Sequence, residues 1–368
     1  MHKIKPVETL ERTFLMKQVT RNRLKQRGLI FFSFLMLFIA PCSVPAWAEE
    51  KKVEEKKAEP VVVYSARMEQ LIKPVFDAYT KETGIAIQFV TDKEGPLLQR
   101  LIAEGENSPA DLFITVDAGM LWKAAEDKIL KPVDSALLKA NIPVHLRDAE
   151  NRWFGLSVRA RTIVYHTKRV RPDELSTYAA LGEPAWKKRL CLRTSNKVYN
   201  QSLVAMMIAE LGMEKTEAVV RSWVANLATD VFSNDTEVMK ALVAGLCDVG
   251  IVNSYYYGRL IQEDPNLPLK IFWPNQDKEG VHVNIYGAGV VRHTKHEAEA
   301  VRLLEWLSSK EAQNRFADSN MEYPVNPLVT PHPLVAGWGS FKQNKINVGL
   351  AGRLQIDAVK LMDRAGYK

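Results

Sequence analysis

Beginning at Val61, short apolar runs alternate with amphipathic helical stretches, and that alternation leaves few folds open. Residues 61–64 are β-branched and aromatic. Leu71, Ile72, Val75, Phe76 and Tyr79 then recur at helical spacing up to a stop at Gly84. A second strand signal at 85–90 precedes a helix carrying Leu97, Leu98, Leu101 and Ile102, which ends at Gly105. A third, at 111–116, is followed by a helix around 120–125. A β-α-β-α-β-α order predicts parallel strands covered by helices on both faces, an α/β fold.

The same grammar resumes further on. Residues 154–158, 162–165 and 190–193 read as short strands, and 202–211 and 214–226 as helices. Residues 236–244 form a further helix, with Asn234 or Asp235 as its N-cap and Gly245 as its stop. Residues 249–252 and 285–291 are strands, and 297–308 is an amphipathic helix. At 368 residues the chain exceeds the size at which one core keeps growing. The expectation is therefore two α/β lobes joined by a hinge, with a cleft between them. Ligands of such sheets bind at the carboxyl ends of the strands, where helix N-termini gather.

The N-terminus reads as an address. The basic stretch RNRLKQR at 21–27 runs into the apolar segment 29–40, and the small-residue pattern Ala46, Trp47, Ala48 follows, as in a secretory signal peptide cut after Ala48. The apolar run is short for a membrane span, which needs about 20 residues. Residues 1–48 hold eight Lys/Arg and two Asp/Glu of the chain's 50 and 43, which leaves 42 basic and 41 acidic residues and a net charge of +1 instead of +7. Without the signal there is no basic excess to argue for nucleic-acid binding. Residues 49–60 form a charged lead-in. Of the cysteines beyond the signal, Cys191 and Cys247 sit in apolar contexts, so an exported chain leaves two states open, a disulfide or two buried thiols.

Chemistry gathers at tyrosines. Asn253, Ser254, Tyr255, Tyr256 and Tyr257 directly follow the strand at 249–252, and SNKVYNQS at 195–202 joins the strand at 190–193 to the next helix. A phenolate is a hard anionic donor, and a trivalent cation is the partner able to hold it deprotonated below its usual value of about 10. Zinc or copper would call for His or Cys and calcium for clustered carboxylates. Tyrosine runs are also ordinary half-buried packing residues, so the residues alone leave packing and metal ligation both open. His293 and His296 read as a surface pair. Asp111 and Asp117 flank a strand without making a case for acid–base catalysis.

The stretches YSAR at 64–67, GLSVRAR at 155–161, SNKVYNQS at 195–202, NDT at 234–236 and CDVGIVNSYY at 247–256 narrow the choice. In that order they resemble the periplasmic ferric-ion-binding proteins of bacterial iron importers, which have the type-II periplasmic-binding-protein fold. The resemblance implies that Tyr199, Tyr255 and Tyr256 are ferric phenolate ligands and that Asn253 lies beside a bound anion. Three phenolates neutralise Fe³⁺ but leave coordination positions open for carbonate or another small anion. Arg67, Arg159 and the backbone N–H groups near Ser195 are candidates to surround it. Several family members place a His or another Tyr just after the first strand, where this chain has Met68 and Glu69. Glu69 is thus a candidate carboxylate ligand, or an acid stabilised by its helix dipole.

The resemblance further implies a periplasmic, monomeric, non-catalytic protein that delivers iron to the permease of an inner-membrane ABC importer. The expected division puts residues 61–157 and about 285–315 in one lobe, and 158–284 and about 316–368 in the other. Competing expectations on the same fold are a polyamine, thiamine or oxyanion as ligand, with the tyrosines as an aromatic cage or hydrogen-bond donors. A secreted enzyme is a further alternative, but no catalytic motif supports it.

Overall fold

The computed structural model describes residues 59–368. The signal peptide expected at 1–48 and all but the end of the charged lead-in lie outside the described residues. Strands and helices alternate first as β1 (Val61–Ser65), α1 (Glu69–Thr83), β2 (Ile87–Thr91), α2 (Glu94–Glu104), β3 (Leu112–Thr115) and α3 (Ala118–Glu126). There follow α4 (Ala136–Asn141), β4 (Phe154–His166), β5 (Leu190–Cys191), α5 (Val198–Leu211), α6 (Met213–Asn226) and α7 (Asp235–Val243). Then come β6 (Val249–Asn253), α8 (Ser254–Glu263), β7 (Leu269–Phe272), β8 (Val283–Val290), α9 (Glu297–Leu307) and α10 (Lys310–Asn320). The chain ends with β9 (Tyr323–Pro324), α11 (Pro333–Ala336), α12 (Leu350–Arg353) and α13 (Gln355–Arg364).

The opening alternation folds as its periodicity dictates. Helix α1 buries Ile72, Val75, Phe76 and Tyr79, and Gly84 ends it at φ 75°, its N–H on the Thr80 carbonyl. Strand β1 pairs in parallel with both β2 and β3. The sheet then departs from the all-parallel expectation. Its order is β2-β1-β3-β8-β4-β6-β5, with β7 and β9 also on β4, and β8 runs antiparallel to both β3 and β4.

Strand β4 organises the molecule. Two short strands were expected from 154–165, and one strand of 13 residues is found. Its first half pairs with β8, ending at Ala160↔Val283, and its second half pairs with β6 from Arg161↔Asn253 and with β7. At the changeover the Arg161 N–H donates to the His282 carbonyl at 2.9 Å. The reciprocal rung is spanned by a side chain: the Tyr178 hydroxyl donates to the Arg161 carbonyl and accepts from the His282 N–H at 3.1 Å.

Apolar packing divides along the same strand. Phe154, Leu156, Val158 and Ala160 belong to a core built on β1–β3, β8, α1–α3 and α9. Ile163 and Tyr165 belong to a second core with α5, α6 and α13, and Val164 to a smaller cluster with α7 and Tyr257. Two cores strung on one strand make a two-lobe α/β molecule. The C-terminal segment serves both: Phe316, Met321, Tyr323 and Val325 pack in the first core, Ala351, Ala358, Leu361 and Met362 in the second. Helix α12 packs against both α3 and α5. There a Cβ on Gly352 would meet the Gly119 Cα at 2.7 Å.

Cys191 and Cys247, left open as pair or thiols, form a disulfide with a Cα separation of 5.9 Å. Parallel pairing of β5 with β6 brings their two segments side by side.

Candidate metal centre

Both tyrosine segments sit where a strand hands over to a helix. The chain leaving β5 enters α5, whose first turn carries Tyr199. Strand β6 ends at Asn253, the N-cap of α8, and Tyr255 and Tyr256 occupy that helix's first turn. Helix N-termini favour negative charge, so a phenolate formed there gains from the dipole. Tyr199 and Tyr255 are buried at 8% and 5% exposure. The Tyr255 hydroxyl donates to the Tyr199 hydroxyl at 3.2 Å, and the rings of Tyr255 and Tyr256 lie 4.4 Å apart at 31°. Two oxygens bound at right angles to one small octahedral cation, each at about 2.0 Å, lie about 2.8 Å apart. The hydroxyl pair needs only a small shift to share an ion.

Cations crowd the rings. The Arg159 and Arg193 guanidinium carbons stand 5.4 and 5.5 Å from the Tyr199 ring centre, and Lys197 Nζ stands 5.0 Å away. Arg259 lies 5.2 Å from the Tyr255 ring and 5.8 Å from that of Tyr256. Burial pushes the Tyr255 phenol well above its ordinary value; charge on Tyr199 and Tyr256 pushes the same way, and Arg159 opposes. Burial pulls the Arg159 pKa down, but the phenol oxygens of Tyr199 and Tyr255, then Glu322 and Asp117, outweigh it and leave it raised.

The three tyrosines, Arg159, Lys197 and Arg259 face a cavity of about 480 Å³, with Arg193 behind the Tyr199 ring. One side is formed by residues from the turns after β1, β2 and β3, including Arg67, Met68, Asp92, Lys93 and Val116, with Arg159 on β4. The other side carries Lys197, Tyr199, Tyr255, Tyr256 and Arg259, and Asn320 and Glu322 close the floor. Buried Arg67 donates to Glu322 at 3.0 Å, while its Nε and Nη2 have no partner; neither has Arg159 Nε. Glu322 also accepts from Ser157 Oγ at 2.5 Å and Asn320 Nδ2 at 2.6 Å. Burial alone would raise its pKa, but Arg67 and Arg159 hold it below the usual value. A metal held by phenols with an anion against unpartnered guanidinium donors is what such a pocket can accommodate.

A model of bacterial extracellular solute-binding proteins matches residues 107–336. The chain belongs to this family. It is 40% identical over 312 residues to iron uptake protein A1 of Synechocystis sp., covering 83% of this chain and 87% of that protein. It is 27% identical to an Fe(3+)-binding periplasmic protein of Serratia marcescens, over 83% and 90% of the two chains. Among solved structures it is similar to Trichodesmium IdiA (FutA) in complex with iron and citrate ligands, with a TM-score of 0.81, 42% identity and coverage of 84% of this chain and 100% of that one. The fold is that of a type-II periplasmic binding protein, two hinged lobes with a cleft between them.

Of the residues singled out in the sequence, Tyr199, Tyr255, Tyr256, Arg67 and Arg159 line this solute-binding protein's cleft together. Glu69 lies elsewhere. It is exposed in the first turn of α1, where the helix dipole stabilises it, and Met68 is the neighbour that faces the cavity. Ser195 is not on the cavity wall either, and its N–H is already taken, donating to the Lys368 carbonyl at 2.8 Å. The Asn253 side chain accepts from Arg161 at 3.2 Å, behind the tyrosines, beside a void of about 10 Å³ that it shares with Tyr199, Ser202, His282 and Asn284. Arg193, Lys197, Arg259 and Glu322 join the site without having been singled out. Arg259 was within reach of the sequence, since it follows Tyr255 by one helical turn. Glu322 arrives through tertiary packing and leaves no local signal.

Proposed function

We propose that this solute-binding protein captures ferric iron in its cleft on the phenol oxygens of Tyr199, Tyr255 and Tyr256. It then delivers the metal to the permease of an inner-membrane ABC importer. The observation that carries the reading is the 3.2 Å hydroxyl pair of Tyr199 and Tyr255, with the Tyr256 ring 4.4 Å from that of Tyr255, on a wall of cations. Three phenolates neutralise Fe³⁺, and a carbonate-like or larger anion completes its coordination. Arg67 and Arg159 are the anion's partners, because their buried, unpartnered N–H groups gain a hydrogen bond only when it is present. Asn253 stands behind the phenols and steadies them, and nothing in the arrangement supports Glu69 or Ser195 as ligands. The names of the Synechocystis and Serratia relatives, and the iron and citrate held by the Trichodesmium protein, support the same cargo.

The protein works in the periplasm as a monomer, after loss of residues 1–48, and binds and releases without turnover. Its lobes follow the two apolar cores. One comprises residues 61–160 with 281–348; the other comprises 161–280 with 349–368, a later C-terminal boundary than about 316. Closure of the lobes buries the metal and presents one shape to the permease. Equilibrium dialysis of the metal-stripped mature chain against ferric citrate tests the reading. One iron per chain, lost in a Tyr255→Phe, Tyr256→Phe double variant, is the expected result. Equal iron binding by the variant would sink the phenolate assignment. Saturable binding of citrate alone, with no iron retained, would redirect the site to an oxyanion.

A further inference from the structure

We infer that Arg161, a residue outside the cavity, sets the spacing of the Tyr199 and Tyr255 hydroxyls and is therefore the positioning residue of the metal site. This rests on the tyrosine reading above. Arg161 lies on β4 at the residue where the strand's partner changes from β8 to β6, and it is only 2% exposed. Its guanidinium reaches the base of both tyrosine-bearing helices at once. Nη2 donates to Asn200 Oδ1 at 2.6 Å and to the Ile251 carbonyl at 3.1 Å. Nη1 donates to Asp235 Oδ2 at 2.7 Å and to Asn253 Oδ1 at 3.2 Å.

Each partner is one step from a phenol. Asn200 follows Tyr199, and its Nδ2 donates to the Arg193 and Thr194 carbonyls at 2.9 and 3.0 Å, fixing the turn that launches α5. Asn253 caps α8 two residues before Tyr255, and its N–H donates to the same Asp235 oxygen at 2.9 Å. One planar fork thus holds the starts of α5 and α8 in a single buried lattice. An ammonium group is a compact charge on a flexible stem and cannot reproduce that fork. A buried ion pair is weak evidence for stability, since its desolvation offsets its attraction. Here its geometric consequence is concrete: the helix starts it joins carry the hydroxyls that meet at 3.2 Å.

The test compares wild type with Arg161→Lys, Asp235→Asn and Asn200→Ala. It reads iron affinity by chelator competition, the position of the visible phenolate-to-iron band, and melting temperature. Tyr178→Phe is the control, because it disturbs the Arg161 carbonyl at the same crossing without touching the lattice around the guanidinium. Arg161→Lys is expected to weaken iron binding at least about tenfold and move the band while the chain stays folded. Tyr178→Phe should lower the melting temperature with band and affinity unchanged. Asn200→Ala cuts one arm of the fork and leaves the Arg161–Asp235 pair, so it answers the question even if Arg161→Lys fails to fold. Wild-type affinity and an unmoved band in Asn200→Ala and in the folded charge-pair variants would overturn the inference alone. A wild type with no band would remove the ligand reading and this inference with it.

Discussion

Burial and two neighbouring phenols hold the Tyr255 proton on when the cleft carries no metal. On the proposed ligation, ferric iron must displace it, and each further phenol engaged would release another proton. Affinity should therefore fall as pH falls, by about tenfold per unit for each proton displaced. Chelator competition between about pH 6 and about pH 8 checks this, and a flat profile would rule out phenolate ligation. A second titrating residue acts on stability alone. Burial raises the Glu210 carboxyl to about 7, against an ordinary value of 4.5, and its hydrogen bond from Asn344 only partly compensates. Between those values the folded chain holds a proton that the unfolded chain has lost, so stability declines as pH rises through the window. Glu210→Gln should accordingly raise the melting temperature at about pH 8 and leave it little changed at about pH 4. At this scale the sequence was legible where residue type is unusual. Three successive tyrosines after a strand stand out, whereas Glu322 and Arg193 are unremarkable until packing turns them inward.

Elements were legible where periodicity is strong and uninterrupted. Helix α1 with its Gly84 stop, and α7 capped by an Asn234 side chain that accepts from the Glu237 N–H at 3.0 Å, match their signals closely. Helix α5 begins at Val198, ahead of the expected 202, because the polar run around Tyr199 hides a first turn that is closed locally, Asn200 and Gln201 N–H donating to the Lys197 carbonyl at 3.0 and 3.3 Å. The disulfide could not be read, since spacing does not fix geometry. It closes a loop with a sequence separation of 56 residues, for which the chain-entropy model gives about 4 kcal/mol. Denaturant melts with and without reductant should differ by roughly that amount, and a difference under about 1 kcal/mol would contradict the chain-entropy account of this bridge. Where α12 meets α3, Gly352→Ala should cost about 1–3 kcal/mol, because the added methyl meets backbone that cannot rotate away. An unchanged melting temperature there would show the contact to be loose.

For the whole molecule, α/β class, two lobes and a cleft at strand ends followed from alternation and length. Strand order did not. Strand β8 reaches the middle of the sheet from far along the chain and runs antiparallel, and no periodicity announces a neighbour so distant in sequence. The same holds for the cavity: Arg67, Arg159, Tyr199, Tyr255 and Glu322 meet only because β4 crosses from one core to the other, where its Arg161 bonds the starts of α5 and α8. Breaking the pair at that crossing should be costly. Asp235→Ala leaves Arg161 buried without its carboxylate, with a loss of about 3–5 kcal/mol in denaturant melts. The central claim, ferric iron held by phenolates, is tested most directly by a visible absorbance titration of metal-stripped mature protein with a ferric chelate. A reddish phenolate-to-iron band that saturates at one iron per chain, and is absent from the Tyr255→Phe, Tyr256→Phe variant, is the predicted result. Iron bound without that band, or a band that survives in the variant, would contradict it.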